Sequence, residues 1–83
     1  MVLYFVELGD DDTSTKLYQK VHNIDTVEYQ GILTNYKTER DNRVALFVVE
    51  DIDILKFKLM FPLSSTIMPV GVPKEVYEYF KNC

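Results

Sequence analysis

The chain has 83 residues, enough for one small domain and too few for two. A hydrophobic fraction of 47% and an aromatic fraction of 13% exclude a disordered chain and predict a packed core. Lysine and arginine total 9 against 13 aspartates and glutamates, a net charge of −4. That balance weighs against nucleic acid as a partner, because phosphate affinity comes mainly from basic groups.

A core of this size leaves roughly 3–5 kcal/mol of net stability, and small domains usually add disulfides, a metal or a partner subunit. The one cysteine, Cys83, has no second thiol to bridge to. A reducing, cytoplasmic location is therefore expected, with self-association as the remaining source of added stability. No segment reaches the roughly 18–20 apolar residues of a membrane span. The opening MVLYFVELGDDD has no basic start and runs straight into acid, so no secretory signal is expected. In FKNC the cysteine is last, which is not a prenylation box.

Val2 to Leu8 is a near-continuous run of β-formers. It predicts a central strand covered on both faces. Gly9 and Asp10-Asp11-Asp12 end it. Thr13 or Ser14 then caps a short amphipathic helix whose inner positions are Leu17 and Val21. The segment from Thr26 to Lys37 reads as strand or helix. As a helix it has Asp25 and Glu28 in a capping-box relation, but Gly31 in mid-helix would cost ~1 kcal/mol. As a strand it puts Val27, Tyr29, Gly31 and Leu33 on one face, and Gly31 permits a bend or bulge. The Thr, Tyr and Val content favours the strand.

TERDNR is the clearest turn, because Asp and Asn bond their own backbone and tolerate unusual dihedrals. Val44 to Val49 is a second core strand, and EDID turns again. Ile54 to Phe61 alternates, with Leu55, Phe57, Leu59 and Phe61 on one face and Lys56 and Lys58 on the other. That pattern predicts a half-exposed antiparallel strand ended by Pro62. A short edge strand is expected at Thr66–Met68. Pro73 opens a C-terminal helix with Val76, Tyr79 and Phe80 as its buried stripe. The sum is a single α+β domain over 1–83, ordered β-α-β-β-β-α, with an antiparallel meander in its second half.

Gly31, Leu33, Asp41, Asn42, Val44 and Leu46 are similar to the first motif of the Sm-like family: a glycine, an apolar residue two later, then an aspartate–asparagine turn leading into an apolar strand. That resemblance implies a small SH3-like or Sm-like β-barrel with a terminal helix and a nucleic-acid-binding role. Three departures count against it. The turn is longer than the family's, KLMFPLSS stands where its arginine–glycine pair closes the RNA pocket, and an apolar strand precedes the helix. The barrel is kept as the alternative fold.

Motifs for chemistry are sparse. Asp10-Asp11-Asp12 and Glu50, Asp51 and Asp53 lack calcium-loop spacing. They read as solvated turns, and no metal or cofactor is expected. Lys37, Arg40 and Arg43 surround one turn, but Glu39 and Asp41 are interleaved, so a solvated turn is the expectation there too. His22 and Cys83 would need a fixed thiolate for catalysis, and a terminal cysteine is poorly held. Ser64-Ser65 has no histidine nearby in sequence. No enzyme activity is expected.

Six tyrosines and no tryptophan suit a protein interface, since tyrosine offers wide contact area and a polar tip. Tyr36, Tyr77, Met60 and Met68 are the candidate partner-binding residues, the last two bracketing the loop before Pro69. The expected function is a small, acidic, non-catalytic protein-interaction module. It would act as a stoichiometric inhibitor or adapter of another protein, or as a homo-oligomer, of the kind carried in phage or mobile-element accessory sets. The alternatives are an Sm-like or SH3-like nucleic-acid module and a small-molecule sensor with an apolar pocket.

Overall fold

A computed structural model of the chain describes residues 1–81, apart from the side chains of Tyr77, Phe80 and Lys81. Strands β1 (Val2–Glu7) and β3 (Val44–Val49) pair antiparallel along their whole length, from Val2↔Val49 to Glu7↔Val44. Both are near-continuous apolar runs because both faces of this pair are covered. Tyr4, Val6 and Leu8 join Ala45, Phe47 and Val49 on the first face. Phe5 joins Val44 and Leu46 on the second.

Strand β2 (Val27–Ile32) lies on the outer side of β3, and two-residue β4 (Ser64–Ser65) lies on the outer side of β1. The sheet order is β2-β3-β1-β4, with every pair antiparallel. The sheet is open, so the barrel alternative does not hold. The α+β class and the central place of β1 do.

Gly31 is the bulge. Tyr29 pairs with Phe47 and Gly31 with Leu46, leaving Gln30 as the extra residue. The bulge reverses the alternation beyond it. Val27, Tyr29 and Ile32 pack on the first face, while Leu33 packs on the second. A regular strand would have put Leu33 with Val27, as the sequence reading had it.

Helix α1 (Ser14–Val21) is capped by Thr13, whose hydroxyl accepts from the Lys16 N–H at 3.2 Å. It buries Leu17 and Val21 on the first face of the sheet. The segment expected as a third meander strand is helical instead. A 3-10 turn at Asp51–Asp53 leads into α2 (Ile54–Met60). Two acids stand at its start and Lys58 near its end, which suits the helix dipole. A strand would bury Leu55, Phe57, Leu59 and Phe61 together. The helix buries Phe57 and Phe61 and leaves Leu55 and Leu59 in solvent. Phe57 lies 5.0 Å from the Tyr4 ring, 5.3 Å from Phe47 and 5.0 Å from Phe61.

The edge strand expected at Thr66–Met68 forms at Ser64–Ser65 instead, where Phe5 and Val6 offer the free side of β1. The second face is covered by Val72, Met68 and Val76, the last on α3 (Lys74–Lys81). Tyr79 was expected in the buried stripe of that helix but is 68% exposed. Phe80, the third member of the stripe, has its side chain outside the described residues. Among the described residues no helix is long and apolar enough to cross a membrane.

Candidate interaction surface

Helix α2 carries two interleaved apolar rows. Ile54, Phe57 and Phe61 share the i, i+3, i+7 spacing of one helix face and turn toward the sheet. Leu55 and Leu59, four apart on the outer side, are 73% and 75% exposed, and Ile52 in the preceding 3-10 turn is 83% exposed. The sheet holds the start of the helix in two ways. The Glu50 N–H donates to the Thr26 carbonyl at 2.8 Å, and the Thr26 hydroxyl donates to the Asp53 carboxylate. The outer row therefore projects from an anchored helix.

Lys56 and Lys58 are exposed beside this row. Among the described residues neither has an acidic partner. Most other basic side chains are engaged. Lys16 Nζ donates to the Asp11 carbonyl, Lys20 lies over the Phe61 ring at 5.3 Å, and Lys37 pairs with Asp41 at 3.5 Å. Arg43 donates to the Asp12 carbonyl at 2.7 Å.

A second apolar feature is a shallow groove of about 380 Å³ between the end of β2 and α3, lined among others by Ile32, Leu33, Tyr36, Val76 and Tyr79. Tyr36, one of the four residues singled out from sequence, lies here. Met60 and Met68 are half-buried and pack on opposite faces of the sheet, so they do not form one surface. The side chain of Tyr77 lies outside the described residues. The outer row of α2 was missed because a strand reading turns Leu55 and Leu59 inward. Acids at Asp51 and Asp53, followed by Lys56 and Lys58, were the available helix signal.

The TERDNR turn is exposed at Glu39, Arg40, Asp41 and Arg43, as expected of a solvated turn, and it is also tied to the sheet. Thr38 is 8% exposed, and Thr38, Arg40 and Asn42 converge on Glu7 at the end of β1. Arg40 donates twice, Nε to Oε2 at 3.0 Å and Nη2 to Oε1 at 2.5 Å. The Asn42 amide donates to Oε2 at 2.7 Å and the Thr38 hydroxyl at 3.1 Å. Arg40 first, then Asn42 and Thr38, hold the Glu7 carboxyl down from 4.5 to about 2, against a smaller opposing effect of burial. Asp41, at φ 63°, takes the left-handed conformation that Asp tolerates better than most residues. This clasp fastens the long β2–β3 loop to the sheet. Its donors are spent on Glu7, which fits a structural role.

Asp12 also serves a turn, its carboxylate accepting from the Gly9 N–H at 2.7 Å. His22 is exposed at the end of α1, its Nδ1 2.9 Å from the Gln19 carbonyl and its ring stacked on Tyr18. Cys83 lies outside the described residues. Among the described residues no three His, Cys, Asp or Glu side chains come together as a metal site. The chain matches no protein-family model, and neither characterised proteins nor solved structures provide a match.

Proposed function

We propose that this protein is a small non-catalytic interaction module that acts by binding another protein through the outer face of α2, as a stoichiometric inhibitor or adapter. The observation that carries this reading is a set of three large aliphatic side chains, Leu55 and Leu59 on the outer face of α2 and Ile52 in the 3-10 turn before it, each at least 73% exposed. Single exposed leucines are ordinary, whereas a contiguous apolar row on a surface helix marks an interaction site. Folding gains nothing from keeping such a row in water, and a partner that covers it removes that exposure.

The test is affinity capture from native lysate with wild-type chain and with the double variant Leu55→Asp, Leu59→Asp. The wild type is expected to retain a partner at near-equal stoichiometry that the variant loses while remaining folded by circular dichroism. Recovery of the same proteins by both chains would overturn the reading.

A further inference from the structure

We draw no further inference here: the strongest candidate, the shallow apolar groove between the end of β2 and α3 that Tyr36 and Tyr79 help to line, carries nothing because nothing in the structure shows what covers it, and the exposed face of α2 belongs to the site already described.

Discussion

Gly31 sits at φ +116°, and a Cβ built there meets no atom within 4 Å. Alanine at this position therefore costs backbone strain without a clash, roughly 1–3 kcal/mol. Were the segment helical, the same change would stabilise by ~1 kcal/mol, so a urea titration of Gly31→Ala reads the conformation from the sign alone. Gly71 differs. It sits at φ +98°, and a Cβ there would stand 2.4 Å from the Lys37 carbonyl oxygen. Strain and overlap act together, and Gly71→Ala should cost more than Gly31→Ala, roughly 2–4 kcal/mol in the same titration. Glu7 gives a pH signature. Its carboxyl falls from 4.5 to about 2 on folding. The stability it contributes is complete above about pH 4.5 and is lost as pH falls from there toward 2. Unfolding titrations at pH 6 and pH 3 should show wild type losing more than Glu7→Gln over that interval. Equal losses would remove Glu7 from the acid response.

At the scale of elements, α2 explains both what was legible in the sequence and what was not. The strands β1 and β3 could be read directly, because a strand covered on both faces becomes an unbroken apolar run. The cap at Thr13 with Leu17 and Val21 four apart marked α1 equally well. Gly31 marked a bulge, but the reversal of sides beyond it depends on pairing with Leu46 and Ala45, which no local pattern records. The failure at Ile54 to Phe61 has a different cause. The helix is apolar on two opposite sides, so its residues satisfy a period of two as well as a period near 3.6. Only packing tells the two rows apart, and it does so by filling the space beside Tyr4 and Phe47 with Phe57. Substitution should separate them in the same way. Phe57→Ala removes a fully buried ring and should cost roughly 3–5 kcal/mol, comparable with the whole stability of so small a domain. Leu55→Ser lies on the outer row and should change stability by about 0.5 kcal/mol or less. Equal losses in thermal and urea unfolding would mean that both rows are core, and the surface row would cease to exist as a site.

At the scale of the whole molecule, charge and architecture act together against nucleic acid. The chain carries −4. The basic residues gathered around one turn, read from sequence as a solvated turn, are engaged internally, with Arg40 held by Glu7, Lys37 paired with Asp41 and Arg43 bound to the Asp12 carbonyl. A phosphate approaching the turn must compete with these partners and with the exposed carboxylates of Glu39 and Asp41. Lys56 and Lys58 are free, but two charges release too few counterions for tight binding, since the affinity gained scales with the number of phosphates neutralised. Fluorescence anisotropy with single-stranded RNA and with duplex DNA should therefore give dissociation constants no tighter than about 1 μM at physiological salt. Between about 50 and 200 mM salt the slope should correspond to about two phosphate contacts or fewer. Nanomolar binding with a steep slope would mean that the Glu7 clasp opens to release Arg40. In that case Glu7→Gln, which frees the guanidinium, should bind more tightly still. Weak binding by both wild type and Glu7→Gln would show that the turn holds no latent phosphate site and that its arginine serves the fold.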